Sequence, residues 1–381
     1  METRKRYYED CHLAQFTATV TGCEQQDGRW AVTLDATAFY PEGGGQAGDT
    51  GRLNEASVLD TREEDGRILH LCASPLEAGT QVEGRVDWAP RFSRMQNHTG
   101  EHMVSGVIHR RYGYHNVGFH MGSDIVTIDF DGIIPAQALP EIETEVNNLI
   151  WQNLPVRTWV PSPEELPGVT YRTKRTLHWP VRIVEVPGVD SCACCGVHVA
   201  MTGEIGLVKL LSCVKFHQGV RIEMLCGSKA MEYLNTVFEQ NRQVSQALSA
   251  PMQETGAAAQ QANALLAAEK FRASSLEKRL LTTIAARYAG CGNVLHFEKT
   301  LSASLVRELA EAISAVCGGR AAVFSGTEGA FNYCLAQPGG DLRTLCKALN
   351  ASLNGRGGGK PAFQQGLVNA SQAQIEAFFA E

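Results

Sequence analysis

The chain has 381 residues, a length that accommodates two or three domains and a sizeable buried core. Apolar residues make up 44% and charged residues 20%, which excludes a disordered, collagen-like or purely coiled-coil chain. The formal charge of -7 is uneven: residues 1–226 carry 20 basic against 29 acidic side chains, 227–290 carry 7 against 5, and 291–381 carry 7 of each, so any contact with phosphate has to come from local basic features or from the second half.

The first ten residues contain no apolar core of a signal peptide, and no apolar run approaches the roughly 18 residues that span a bilayer. The expectation is a cytosolic protein without a membrane segment, in which the twelve cysteines are reduced. Most of them stand singly and read as small buried hydrophobes. Cys192, Cys194 and Cys195 fall within four residues and close to His198, a density that points to metal binding in a reducing compartment.

In chain order, residues 1–90 read as a small β-barrel. Phe16–Thr21 and Arg29–Asp35 alternate apolar and polar, and Asp27-Gly28 between them is a hairpin turn signal. Short strands are expected at 57–61, 68–72 and 81–88. From 91 to 227 the pattern is mixed α/β, with helices over 93–112 and 140–153 and strands at 125–130, 182–186, 206–210 and 219–225. Residues 228–290 are rich in Ala, Gln, Glu and Leu and predict a helical hairpin broken near Pro251 and Gly256. Leu276, Leu280 and Ile284 form an apolar stripe on its second arm, which serves either as an intramolecular seam or as a homodimer interface through residues 228–287. Residues 291–381 alternate strands (294–297, 321–325, 332–335) and helices (302–316, 342–353) and end in a glycine-rich loop, Asn354 to Pro361. The fold class is α+β.

Two spacings carry the chemistry. His98-Thr-Gly-Glu-His102 sets two imidazoles at i and i+4 on one helix face. Cys194-Cys-Gly-Val-His198 adds a thiol and an imidazole from a distant loop. Zinc accepts such a nitrogen and sulfur set tetrahedrally, and two chelating pairs would pin helix to loop. The glutamate stands directly before His102, unlike the His-Glu-x-x-His order of zinc peptidases. A third feature is Gly43-Gly44-Gly45-Gln46, where consecutive glycines let backbone approach a ligand and the glutamine amide both donates and accepts. No Gly-Lys-Ser/Thr follows, so it is not a phosphate-binding P-loop.

Thr37-Ala-Phe-Tyr-Pro-Glu-Gly-Gly-Gly-Gln46, His98-x-x-x-His102 and Cys194-x-x-x-His198 together resemble the editing domain of alanyl-tRNA synthetase, and more closely its free-standing relatives, the AlaX-type alanyl-tRNA editing proteins in their long form. The end, Gly355-Arg-Gly-Gly-Gly-Lys-Pro361, resembles the DHHA1 domain that closes those synthetases. The resemblance covers nearly the whole chain and leaves no room for an aminoacylation domain. Where the family often has Cys-Gly-Gly-Thr-His, this chain has Cys194-Cys195-Gly196-Val197-His198, and the spacing to His198 places the ligand on Cys194.

The resemblance implies an α+β chain of four parts: barrel subdomain (1–90), zinc-binding editing domain (91–227), helical arm (228–290) and DHHA1-like domain (291–381). It implies one Zn2+ per chain on His98, His102, Cys194 and His198, and hydrolysis of Ser-tRNA(Ala) and Gly-tRNA(Ala) with Ala-tRNA(Ala) spared. An alanine-sized synthetase pocket cannot strongly reject glycine or serine, so a second sieve is required. In that reading Thr37 recognises the serine hydroxyl, and Gln46 with nearby backbone amides positions water or ester. Gly43, Gly44 and Gly45 line the pocket, His120 either lines it or is structural, and Arg356 and Lys360 contact tRNA. With all four ligands bound to the metal, an orienting role for zinc is favoured. The alternative is a zinc-stabilised tRNA-binding module without hydrolysis. A DHH-type phosphoesterase is excluded because no Asp-His-His triplet occurs.

Overall fold

A computed structural model describes residues 3–122, 124–173, 177–327 and 329–380. The chain forms two compact units, Met1–Asn241 and Arg242–Glu381, so the division falls inside the stretch expected as a helical arm. No helix is long and apolar enough to cross a membrane among the described residues.

The first unit opens with a closed six-stranded barrel. Its strands are β1 (Gln15–Gln26), β2 (Arg29–Leu34), β3 (Gly51–Leu53), β4 (Ala56–Glu64), β5 (Arg67–Cys72) and β6 (Gln81–Val86), in the order β1-β2-β5-β4-β3-β6, with β6 returning to pair with β1. Phe16, Ala18, Val20, Val32, Leu34, Val58 and Val82 fill the interior. Asp27 and Gly28 both take positive φ (49° and 78°), as the tight turn joining β1 to β2 requires.

Beyond the barrel, α1 (Trp88–Tyr112) and α2 (Leu139–Trp151) pack on a four-stranded antiparallel sheet. That sheet is built from β7 (Asn116–Met121), β8 (Val126–Phe130), β12 (Val208–Phe216) and β13 (Gly219–Cys226), in the order β12-β13-β8-β7. Three further strands, β9 (Arg157–Trp159), β10 (Ile183–Val186) and β11 (Asp190–Ala193), form a small sheet whose last strand delivers the cysteine-rich loop. Helix α1 starts five residues earlier than its pattern predicts, with Pro90 in the first turn, where a missing N–H costs nothing. Every residue from Met95 to Ile108 is buried. Gly100 and Gly106 are therefore contact points rather than breakers: a Cβ at the first would overlap Cys226 Sγ, and one at the second would overlap the Val189 carbonyl.

Helix α3 (Gly227–Leu248) spans the division between the units, and α4 (Thr255–Ala286) follows a turn at Pro251. Of the expected apolar stripe, Ile284 is buried, while Leu276 and Leu280 are exposed. The second unit is built on a five-stranded sheet of β14 (Gly292–Glu298), β15 (Gly318–Thr327), β16 (Ala330–Ala336), β17 (Arg356–Lys360) and β18 (Phe363–Val368), in the order β14-β15-β16-β18-β17. Helix α5 (Ala303–Cys317) covers one face; α6 (Arg343–Ser352) and α7 (Gln372–Ala380) cover the other. The glycine-rich segment expected as a loop is instead the edge strand β17, paired with β18 from Arg356↔Leu367 to Lys360↔Phe363. Glycine is demanded there by crowding, since a Cβ at Gly357 would overlap the Gln365 carbonyl and the Tyr333 hydroxyl.

Candidate metal centre and active-site cavity

Helix α1 presents His98 and His102 one turn apart, and the loop after β11 brings Cys194 and His198 against them. The candidate ligand atoms of these four residues all lie within 4.8 Å of one another. His98 Nε2 and His198 Nε2 each stand 3.4 Å from Cys194 Sγ. A tetrahedral zinc with ordinary bond lengths sets its nitrogen and sulfur ligands about 3.5 Å apart, so the spacing fits that ion.

The second nitrogen of each ring is accounted for. His98 Nδ1 lies 3.1 Å from Gln46 Oε1, His102 Nδ1 lies 3.1 Å from Asp190 Oδ2, and His198 Nδ1 lies 3.1 Å from Thr99 Oγ1. The Thr99 hydroxyl donates to Met95 O at 2.8 Å, so its oxygen accepts from His198. With each Nδ1–H donated outward, all three Nε2 atoms point inward, the arrangement that orients metal-binding histidines. Asp190 is in turn clamped by Arg172 through two bonds of 2.6 and 2.8 Å.

The electrostatics agree. Burial opposes the Cys194 thiolate, but the His98 and His198 imidazoles and hydrogen bonds from His102 and His198 outweigh it and hold the thiol well below its usual range. Burial, then His98, pushes His198 down to about 3 and leaves it neutral. For His102 burial favours the neutral ring, yet the hydrogen bonds to Asp190 and Cys194 and the negative charges of Glu101 and Cys192 together outweigh it and hold the ring well above the usual imidazole range. Asp190 itself is buried, but the bonds from His102 and Arg172 pull it down to about 2. In the absence of a metal the cluster is a thiolate–imidazolium pair, and a cation taking this place displaces the proton.

The loop geometry explains the intervening residues. A Cβ at Gly196 would run into the His98 ring, so the Cys-Cys-Gly-Val-His run admits nothing larger there. Arg182 holds the loop by donating to the carbonyls of Cys194 and Gly196, each at 2.9 Å. Cys195 turns away from the cluster; its Sγ sits beside Gly44, where a Cβ would come within 3.3 Å of it.

His98, His102 and Cys194 open onto a cavity of about 610 Å³ whose walls include Gly44, Gly45, Glu101, Asn116, Phe119 and Arg172. Gly44 and Gly45 take positive φ (60° and 85°), and their N–H groups make no hydrogen bond among the described residues. Gly43 lies just outside the wall, pairing through its own N–H and carbonyl with Gln46. Gln46 is fully buried behind the wall rather than part of it, and its Nε2 has no hydrogen-bond partner among the described residues.

Two other expected site residues of the first unit, Thr37 and His120, are not part of the cavity wall. Thr37 is fully buried and is not part of the cavity wall. Its hydroxyl donates to His70 Nε2 at 2.8 Å and accepts from Phe39 N at 3.1 Å, while His70 Nδ1 is used by the Val32 carbonyl at 2.9 Å. His120 is exposed on β7, paired with Thr127, and lines no part of the cavity. Arg356 and Lys360 lie in the second unit at the two ends of β17, both exposed. Sequence reasoning passed over Asp190, Arg172 and Thr99, which orient the ligands. Thr99 and Glu101 lie inside the His98–His102 motif, and Asp190 stands four residues before Cys194. Arg172 has no local signal.

Two family models match the chain: tRNA synthetases class II (A) over residues 5–90, and the threonyl and alanyl tRNA synthetase second additional domain over 181–223, which includes Cys194 and His198. Among curated relatives, alanyl-tRNA editing protein AlaX-L of Pyrococcus horikoshii is 34% identical over 242 residues, 61% of this chain and 60% of that protein. Alanyl-tRNA editing protein Aarsd1 of Mus musculus is 27% identical over 97% of this chain and 95% of its own length. An alanine–tRNA ligase of Thermofilum pendens is 31% identical over 97% of this chain, which spans 43% of the ligase. Of solved structures, the C-Ala domain of Aquifex aeolicus alanyl-tRNA synthetase matches 23% of this chain at 13% identity with a TM-score of 0.21, too low to transfer a fold. The chain is thus a homologue of the alanyl-tRNA editing proteins AlaX-L and Aarsd1, the family its three motifs resemble.

Proposed function

We propose that the protein is a trans-editing hydrolase that deacylates Ser-tRNA(Ala) and Gly-tRNA(Ala) and spares Ala-tRNA(Ala). The observation that carries this reading is the convergence of three inward Nε2 atoms and one thiolate on a cavity walled by bare glycine backbone. In the reaction a water oxygen bonds to the ester carbonyl carbon and the carbon–oxygen bond to the terminal ribose breaks. Free amino acid leaves as its carboxylate, the ribose oxygen takes a proton, and the remaining proton goes to solvent.

His98, His102, Cys194 and His198 would hold one zinc ion, which supplies a Lewis acid that polarises or orients the ester. Gln46 has two tasks: its Oε1 fixes the His98 tautomer, and its unpartnered Nε2–H is free to hold water or the ester oxygen. The Gly44 and Gly45 amides offer donors to the oxyanion that develops on the carbonyl. Thr37 acts from behind the site, anchoring the start of the Phe39–Gln46 segment through His70. In the second unit, which we read as DHHA1-like, Arg356 and Lys360 flank backbone to which an RNA phosphate can bind. The exposed apolar residues Leu265, Phe271, Leu276 and Leu280 of α4 offer a surface for a homodimer.

The test is deacylation of Ser-, Gly- and Ala-tRNA(Ala) with and without a chelator. Release of serine and glycine but not alanine, lost on metal removal and restored by zinc, is expected. Binding of tRNA without release of any amino acid would favour a zinc-stabilised binding module instead.

A further inference from the structure

Next to the metal cluster, the cavity wall contains a buried polar group that the ligand set does not use. Glu101 is only 4% exposed, although it carries a carboxylate. Its Oε1 accepts the Ser105 hydroxyl at 2.6 Å and the Asn116 side-chain amide. Its Oε2 makes no hydrogen bond among the described residues and has an ion pair to His102 Nε2 at 3.8 Å. Asn116, 5% exposed, also donates to Ser105 Oγ at 3.1 Å. Because a carboxylate accepts and does not donate, the Asn116 NH2 must face Glu101. That orientation leaves Asn116 Oδ1 buried with no hydrogen-bond partner among the described residues. The neighbouring cation, Arg172, is committed to Asp190.

The wall therefore holds two acceptor oxygens, one of them charged, that receive no hydrogen bond among the described residues. Leaving such groups unpaired in a buried site is costly, and an ammonium, with three N–H donors and a positive charge, is the group that satisfies both. We propose that Glu101 Oε2 and Asn116 Oδ1 form the receptor for the α-ammonium group of the aminoacyl ester. This inference rests on the editing function proposed above. Serine, glycine and alanine all carry that group, so the pair does not choose among them. It admits aminoacyl esters over other acyl esters and sets the carbonyl beside the ligand cluster on which His102 lies.

Two hydrolysis-resistant probes test it: 3′-deoxyadenosine bearing a seryl group in amide linkage at 3′, and the same compound with the α-amine replaced by hydroxyl. Binding is measured by calorimetry on the zinc-loaded full chain, with metal content read in parallel. The wild type is expected to bind the amine probe about 10- to 100-fold tighter than the hydroxyl probe, the range for a charge-assisted hydrogen bond in a buried site. Glu101→Gln should abolish that preference by weakening the amine probe alone, with zinc content unchanged. Asn116→Ser, which leaves the carboxylate in place, should reduce the preference in part, and it decides the matter with the wild type if the first variant does not fold. Equal wild-type affinity for both probes, equal losses on both in Glu101→Gln, or loss of zinc in that variant would overturn the proposal, the last by making Glu101 a ligand. A wild type that binds neither probe overturns the editing reading together with this one.

Discussion

The metal cluster and the glycine-rich edge strand β17 use opposite physics. In the cluster the outward nitrogen of each imidazole is committed: the three rings are fixed through Gln46, Asp190 and Thr99, and Arg172 clamps the aspartate. In β17 every residue is exposed, and three of the five lack side chains. What the cluster offers is a preorganised pocket in a low-dielectric setting, where losing one partner is expensive. The strand presents backbone and two terminal cations to solvent, where each contact is weak and screened by salt. Perturbations in the first unit should therefore be large and insensitive to salt, and those at the edge strand small and salt-dependent.

The largest effect expected is from Cys194→Ala, which should remove zinc and deacylation together by more than 100-fold. Metal retained at full occupancy, read by elemental analysis, would move the ligand to Cys192 or Cys195. Next is Arg91, fully buried, which donates to Asp49 and to the Ala38 carbonyl and so ties α1 to the segment that carries Gln46. Arg91→Met leaves the buried Asp49 carboxylate with only the Tyr40 N–H at 2.7 Å and the Arg94 guanidinium at 3.6 Å, and should cost about 3 kcal/mol in denaturant unfolding of the first unit. A loss below 1 kcal/mol would show that water reaches Asp49.

A pH test sharpens the same contrast. Burial lowers the His70 pKa to about 4, although the Val32 carbonyl opposes the shift. The unfolded chain binds that proton near pH 6.5, so the stabilisation is complete above that value and is lost as pH falls toward 4. Urea unfolding of the wild type should weaken by about 3 kcal/mol across that window. His70→Gln should flatten the slope, and an unchanged slope would assign the loss to other groups.

Thr37→Val is expected to lower Ser-tRNA(Ala) and Gly-tRNA(Ala) deacylation alike, by about 5- to 100-fold, because the hydroxyl is already engaged by His70 and Phe39. A loss confined to serine would return Thr37 to the direct recognition role that the family resemblance implies. The smallest effect is expected from the double change Arg356→Ala and Lys360→Ala. Affinity for tRNA should fall a few-fold at low salt, and the salt slope should drop by about 1–2. An unchanged slope would break the comparison by removing the edge strand from the RNA contact.

Much of this was legible because its determinants are local. Two i, i+4 pairs on a helix and in a loop are visible as spacing, as is the Asp27-Gly28 turn. Helix α1 was harder to bound, since a helix buried all round its middle has no polar face to set a period. The glycine run 355–359 reads as a loop, because glycine lacks the side chains by which strands are recognised, yet it pairs as β17 where Tyr333 and Gly366 crowd it.

By itself, then, the sequence determined which residues can ligate a metal and where the turns fall, because imidazole pairs and positive-φ positions are properties of a few neighbouring residues. Only the tertiary structure decided which nitrogen of each histidine faces inward. Gln46, Asp190 and Arg172 reach the cluster across 52, 88 and 70 residues of chain from His98, His102 and His102 respectively. It also decided that Thr37 belongs to His70 and that Glu101 and Asn116 share one wall. Such pairings depend on how the barrel, α1 and β7 pack together, and no short-range pattern encodes a contact made by two distant side chains in a common low-dielectric space.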